Sequence, residues 1–402
     1  MNALTPLETA LKHLLERAVP IREAESADLH QALGRILSED LQARFDVPHV
    51  DNTAIDGYAL RLADLKDDRR LPVSARIPAG THPEPLVPGT AARIFTGAGI
   101  PEGADTVVMQ EDVEVDGDLV RFPERLVPGE NIRRRGQDLR KGTVALTAGT
   151  RLRVQELGLI ASLGLAQVPV WRRLRVAVLT TGDELVDPGQ PLPAGSIYNS
   201  NRYTLQAMLQ HLDCEVVVNQ TVPDSHAATA AALKRAARQA DLILTSGGVS
   251  VGEEDHMRAV LEQHGQLSLW RLAIKPGKPL AFGAIGQIPV LGMPGNPASV
   301  LVTGLVLCVP FIRRCQGDTR PPPMPIRLPA AFSINATSIR REFLRARRER
   351  QGDRVVVSRY PNQSSGLLSS ACWAEGLAVV PENQTLAEGD IIDYYPFSDL
   401  LG

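Results

Sequence analysis

Three short segments carry glycines in loops where the main chain could hold an anion. They are Thr180-Thr181-Gly182-Asp183-Glu184, Ser246-Gly247-Gly248-Val249-Ser250-Val251-Gly252 and Gly292-Met293-Pro294-Gly295-Asn296-Pro297. Glycine lets the main chain approach a phosphate or oxyanion closely. Asn296 followed by Pro297 reads as a helix start, where free N–H groups and the positive dipole end face a ligand. Any one of these loops is equally well explained by a left-handed turn at a strand end; three on one edge point to a binding crevice. Carboxylates recur beside them: Asp183 and Glu184, Asp224, then Glu253, Glu254 and Asp255. Hard oxygen ligands next to a phosphate suit Mg²⁺, and a solvated acidic rim is the competing reading. Lys275-Pro276-Gly277-Lys278 sets two ammonium groups on a Pro-Gly turn, as neutralising a pyrophosphate or a dianion requires, although an isolated pair is more commonly surface decoration.

A second polar cluster lies upstream, in DNTAIDGY (51–58), FTGA (95–98) and NIRRRGQD (131–138). Consecutive arginines can clamp an anion, though on a solvated loop they more commonly do not. Other chemistries are disfavoured. There is no GxxxxGK[ST], and no GxGxxG followed by an acidic residue about 20 positions on, so P-loop hydrolysis and dinucleotide binding are not expected. Cys214, Cys308, Cys315 and Cys372 form no CxxC pair, and the eight histidines are scattered, which argues against a transition-metal site. A net charge of -3 gives no global field for nucleic acid or an anionic membrane. No leader pattern and no run of roughly 18 to 20 apolar residues is evident, so the chain reads as cytoplasmic.

Bringing the three glycine loops to one edge takes a parallel sheet. Apolar runs at 176–179, 215–218, 242–244 and 288–291 alternate with helical stretches at 203–212, 226–239 and 257–263, and a last helix follows Asn296. Such alternation marks a parallel sheet with crossover helices, whose ligands bind beyond the carboxyl ends of the strands. Upstream, Thr5-Pro6-Leu7-Glu8 reads as a capping box opening an amphipathic helix, with a second helical stretch expected at 26–37. Residues 46–144 are rich in Pro, Gly and short β-branched runs such as Thr106-Val107-Val108, and the helical pattern returns at 154–165. The β-rich segment therefore reads as an insertion within a helical region. Past the stiff Pro321-Pro322-Pro323, strands are expected at 354–359, 377–380 and 390–394. The fold class is multi-domain α/β. Its parts are a helical linking region (1–45 plus 141–172), a nested β-rich domain (46–140), a parallel-sheet domain (173–318) and a C-terminal barrel-like β-domain (319–402).

In order, DNTAIDGYA, RIFTGAGIPEGADTVVMQED, NIRRRGQDL, TTGDEL, SGGVSVGEEDH, KPGKP and GMPGNPAS resemble the molybdopterin molybdenumtransferase family, the bacterial MoeA proteins and the E domain of gephyrin. The resemblance implies a homodimer whose crevice lies between the α/β domain of one subunit and the β-rich domain of the other. It implies Mg²⁺-dependent cleavage of adenylated molybdopterin, with molybdate joining the dithiolene and AMP leaving. Carried over by motif, Glu184, Asp224 and Asp255 handle Mg²⁺ or the adenylyl phosphate, and Lys275 and Lys278 bind anionic oxygens. Gly247, Gly248, Ser250, Pro294, Gly295, Asn296 and Pro297 form the pterin-phosphate cradle. Asp56, Thr96, Arg133 and Asp138 act from the facing subunit, and Arg345 and Ser365 reach in from the last domain. The molybdopterin adenylyltransferase of the preceding step and the recipient molybdoenzymes are the protein partners it suggests. One departure is Asn199, where members more often carry Asp.

Two other readings stay open at the level of sequence. Molybdopterin adenylyltransferases share the α/β domain and its loops, but need neither the β-rich insertion nor the C-terminal domain. A non-catalytic, gephyrin-like scaffold is the other, and the intact site segments argue against it.

Overall fold

The computed structural model describes residues 4–248 and 256–402. Four strands of the α/β region run parallel, in the spatial order Glu215–Val222, Arg175–Thr181, Leu242–Ser246 and Ile288–Met293. Val176, Ala177, Val178 and Leu179 are fully buried, which is why this strand reads as an unbroken apolar run rather than an alternating one. From Arg175–Thr181 the chain moves outward to Glu215–Val222, then crosses back to Leu242–Ser246. The order reverses between the first and third strands, and that reversal opens a crevice at their carboxyl ends. Helices Ser200–His211, His226–Ala237 and His256–His264 follow these three strands.

The sheet is mixed rather than wholly parallel. Pro279–Ile285 joins Ile288–Met293 antiparallel through the two-residue Gly286-Gln287 turn, and Gly265–Arg271 adds to it antiparallel. A two-residue loop leaves no room for a crossover, so the pair must form a hairpin. The last helix is continuous through Pro297–Thr303, a π-helical turn Gly304–Cys308, and Val309–Gln316. This 20-residue helix contains an 18-residue stretch of mean hydropathy 1.7, so by length and composition it meets the membrane criterion that the sequence reading found unmet. That apolarity is used on the core: 78% of the stretch is buried, with Val300, Leu307, Phe311 and Ile312 packed beneath the sheet.

Two helix expectations are corrected. The opening helix, Leu7–Glu16, buries Leu7, Ala10 and Leu14 in that same core, but its capping box does not form. Thr5 spends its N–H on the Arg271 carbonyl, and Glu8 pairs with Arg341. Residues 26–37 are not helical: Ala24–Asp28 is a strand antiparallel to Gln167–Trp171, followed by a single 3₁₀ turn, Leu29–Gln31. A ladder to a partner far along the chain outweighs a weak local helical preference.

The β-rich segment holds a six-stranded sheet in the order Thr106–Met109, Gly57–Leu60, Ala91–Ile94, Arg70–Ile77, Leu119–Arg121 and Glu114–Asp116. Leu41–Gln42 pairs with Val144–Leu146 where the chain enters and leaves it. In the C-terminal sheet, Arg341–Gln351 lies between Arg354–Arg359 and Gly376–Val380, and Ile391–Pro396 and Ile326–Pro329 continue beyond. Ile274–Lys275 pairs parallel with Arg341 and Glu342. This stitch fixes the C-terminal sheet beside the lysine turn.

Candidate active site

A cleft of about 800 Å³ opens at the carboxyl ends of the parallel strands. Thr180, Thr181, Ser246, Gly247 and Gly248 line it from two strand ends, and residues 294–297 from a third. Side-chain amides hold these ends in register. Asn201 Nδ2 donates to Ser246 Oγ (3.0 Å) and the Gly295 carbonyl (2.6 Å), and Ser246 Oγ donates to the Pro294 carbonyl (3.0 Å). Gly247 sits at φ +90°, and a Cβ there would lie 2.6 Å from the Thr181 carbonyl, so only glycine lets the two loops touch. Beside it the Thr181 hydroxyl is buried with no partner among the described residues. An orphaned hydroxyl in a glycine cradle is a polar group waiting for a ligand atom.

Asn199 is 1% exposed and fully used. Its Nδ2 donates to Thr180 Oγ1 (2.7 Å) and Thr221 Oγ1 (3.0 Å), and its Oδ1 caps helix Ser200–His211 by accepting from Arg202 N (3.2 Å). The amide thus clasps two strand ends and a helix start. Asn296 does sit at the cap of its helix, but its side chain makes no capping bond. The first-turn N–H of Ala298 is taken by the Ser365 carbonyl (2.9 Å), which docks the C-terminal loop on the cleft instead of leaving that donor for a ligand.

The lysine turn lines the same cleft. Gly277 lies at φ +104°, and a Cβ there would meet Thr303 Oγ1 at 2.5 Å, so glycine is required between the two cations. Lys278 has no ion-pair partner among the described residues, whereas Lys275 Nζ lies 3.0 Å from Glu342 Oε1. Glu184 stands exposed at the mouth. Asp224 does not line the cleft. It exchanges main-chain-to-carboxylate hydrogen bonds with Asp183 just outside it, Asp224 N donating to Asp183 Oδ1 (2.9 Å) and Asp183 N to Asp224 Oδ2 (3.4 Å). Among the described residues no group of three or more His, Cys, Asp or Glu side chains is placed to hold a metal ion. The donor set still fits Mg²⁺, which takes one or two carboxylates and completes its shell with waters and substrate oxygens. Asp255 and Ser250, and with them Glu253 and Glu254, lie outside the described residues.

Four predicted residues lie in the β-rich segment and do not line this chain's cleft: Asp56, Thr96, Arg133 and Asp138. Asp56 accepts both the Thr96 N–H and the Thr96 hydroxyl at 2.7 Å, and these bonds hold its carboxyl below the usual carboxylate range. Of the three arginines, Arg134 is spent on Asp51 (2.7 Å) and Arg135 on Asp46 (2.5 Å), so among the described residues Arg133 alone has no carboxylate partner. Arg345 is the clearest correction. It is fully buried and does not face the cleft; burial pushes its pKa down to about 10. Its Nε donates to Ser370 Oγ and its Nη2 to the Ser364 carbonyl, both at 3.0 Å, so it supports the loop that presents Ser364 and Ser365. Glu184, Gly247, Gly248, Lys275, Lys278, residues 294–297 and Ser365 do share the one cleft. The sequence reading missed Thr181, Asn201, Gln363, Ser364 and Arg340, which line it as well. TTGDEL was singled out for its acids rather than its hydroxyls, and nothing local marks Arg340 apart from its neighbours.

Residues 5–164 match the MoeA N-terminal region (domain I and II), residues 177–314 a probable molybdopterin binding domain, and residues 327–397 the MoeA C-terminal region (domain IV). The molybdopterin molybdenumtransferase of Haemophilus influenzae is 40% identical over 98% of this chain and 99% of its own. That of Synechococcus elongatus is 38% identical over 92% of this chain and 93% of its own. Among solved structures, the molybdopterin biosynthesis MoeA protein of Pyrococcus horikoshii superposes with a TM-score of 0.83 at 30% identity, covering 98% of this chain and all of that one.

Proposed function

The chain belongs to the MoeA family of molybdopterin molybdenumtransferases, enzymes of molybdenum cofactor biosynthesis, and we propose that it transfers molybdenum from molybdate into adenylated molybdopterin, releasing AMP, in the cleft described above. The observation that carries this reading is the pairing of a hydroxyl-and-glycine cradle with a rigid lysine turn across one cavity. The cradle suits a phosphate, and the cations suit a tetrahedral dianion held close to it. Main-chain approach at Gly247 and Gly248 and the buried Thr181 hydroxyl position the pterin phosphate. The lysine turn brings the oxyanion to the dithiolene. Proximity and preorganised charge supply most of the rate, because the new metal–sulfur bonds belong to the substrate.

Glu184, with Asp255, would hold Mg²⁺ together with waters and substrate oxygens, while Asp224 would brace the Asp183 loop beside it; when bound the ion would neutralise charge on the phosphoryl oxygens. Asp56, Thr96, Arg133 and Asp138 act on the cleft of a second copy, which makes the working unit a homodimer. The four-part division of the chain stands with this reading, as do the curling of the C-terminal sheet toward a barrel through the Ala330–Val357 bridge, a cytoplasmic setting, and exchange with the adenylyltransferase and recipient molybdoenzymes.

The test is AMP release from adenylated molybdopterin by the purified protein with Mg²⁺, with and without molybdate. Molybdate-stimulated release is expected, falling about 100-fold or more in Glu184→Ala. ATP consumption with molybdopterin and no AMP release would instead identify the preceding adenylylation step.

A further inference from the structure

Asp56 stands just before the strand Gly57–Leu60, and Thr96 just beyond its antiparallel neighbour Ala91–Ile94, so the couple forms where two strand ends meet. One side chain ties both ends down. Arg93 lies directly opposite Tyr58 in the ladder. Its Nη1 donates to the Gly57 carbonyl (3.0 Å), one residue past Asp56, and its Nη2 donates to Gln110 Oε1. Gln110 in turn donates its main-chain N–H to the Asp56 carbonyl (3.2 Å). The same guanidinium lies over the Phe95 ring, 4.8 Å from its centre and one residue before Thr96, and over Tyr58 at 5.1 Å. Arg93 therefore holds the chain immediately after Asp56 and immediately before Thr96. The placement is costly. Arg76 faces Arg93 from the next strand and also covers Phe95, at 4.5 Å, and like charges directly opposite one another repel. Both acceptors of Arg93 are neutral, so no acid offsets that repulsion there. A side chain kept for the sheet alone would avoid it.

We infer that Arg93 is a positioning residue for the reaction, clamping Gly57, Gln110 and Phe95 so that the Asp56–Thr96 couple is presented in one geometry to the cleft of the facing subunit. The inference rests on the reading above, in which that couple serves a second copy, and adds to it the group that holds the couple in place. Arg93 touches neither substrate nor metal in this role. A planar guanidinium reaches two acceptors and stacks on rings at once, which the point charge of a lysine matches only in part.

The experiment follows AMP release at saturating molybdate, and hydrogen exchange of the Thr96 amide, in the full chain and in Arg93→Gln, Arg93→Lys and Arg76→Gln. Arg93→Gln is expected to lower turnover about ten- to a hundredfold with the half-saturating molybdate concentration little changed, and to speed Thr96 exchange severalfold. Arg93→Lys recovers part of both losses. Arg76→Gln, whose contact with the clamp is the Phe95 ring, leaves turnover unchanged. Mixed subunits separate positioning from general damage. Arg93→Gln mixed with Glu184→Ala restores AMP release, because one crevice of each mixed dimer is then intact, whereas Arg93→Gln mixed with Asp56→Ala does not. If Arg93→Gln turns over and exchanges as the unaltered chain does, or recovers when mixed with Asp56→Ala, the inference is wrong. Should Arg93→Gln fail to fold, Phe95→Leu removes the ring but keeps the Gly57 bond, and it is held to the same tests with a smaller expected loss. If the unaltered chain releases no AMP, the proposed function falls, and Thr96 exchange in Arg93→Gln decides by itself whether the clamp exists.

Discussion

A single carboxylate shows how far local hydrogen bonds define this protein's polar residues. Asp56 collects the Thr96 N–H and hydroxyl on one oxygen, which keeps it ionised below the ordinary carboxylate range although it is well solvated. Because the folded-state pKa is the depressed one, the stability that Asp56 contributes is present above the ordinary carboxylate range and is lost as pH falls through the folded value. Thr96→Val keeps the main-chain donor and removes the hydroxyl. The Asp56 pKa, followed by carboxyl-carbon NMR, should rise toward the ordinary value without reaching it. An unchanged titration would mean that the hydroxyl contributes nothing. At this scale the sequence was legible where a residue type is forced by geometry, as with Gly247 and Gly277, and illegible where a partner decides the role. Arg345 and Arg340 look interchangeable in the sequence IRREFLR. Only the fold separates the buried arginine that props the Ser364 carbonyl from the one that lines the cleft. Asn199 teaches the same lesson, since its amide is consumed by Thr180, Thr221 and the Arg202 N–H.

Among the elements, the lysine turn makes the sharpest demand on backbone shape. At Gly277 any side chain meets both an unfavourable φ of +104° and the Thr303 hydroxyl at 2.5 Å. Gly277→Ala should cost about 1–3 kcal/mol in urea unfolding and raise the half-saturating molybdate concentration, because relieving the clash moves Lys278. Stability and molybdate dependence both equal to the unaltered chain would show that the turn yields freely. The turn was readable from its Pro-Gly pair, and the parallel strands from their apolar runs, because both signals are local. The antiparallel strands Gly265–Arg271 and Pro279–Ile285 were missed, their edge being tied through the short Gly286-Gln287 hairpin rather than through a helix. The strand at Ala24–Asp28 was misread as helix for a related reason, its partner Gln167–Trp171 lying beyond the entire β-rich sheet. Pairing across such a distance leaves no trace in a short window of sequence.

For the whole molecule, the decisive fact is that the candidate residues fall into two groups that one chain does not bring together. Glu184 lines the cleft, whereas Asp56 and Thr96 sit at the end of the β-rich sheet and take no part in lining it. The proposed homodimer, in which each crevice would draw on both chains, makes a quantitative demand. Glu184→Ala and Asp56→Ala proteins should each be nearly inactive. In a mixed dimer one crevice carries both lesions and the other carries none. Random exchange at equal concentrations makes about half of the dimers mixed, so AMP release should recover to about a quarter of the unaltered rate. Recovery requires exchange, so it should develop with time and fail if the proteins are cross-linked as homodimers before mixing. If each chain instead completed its own site, no mixture could outperform its components, and a flat time course after demonstrated subunit exchange would assign Asp56 to a role within its own subunit.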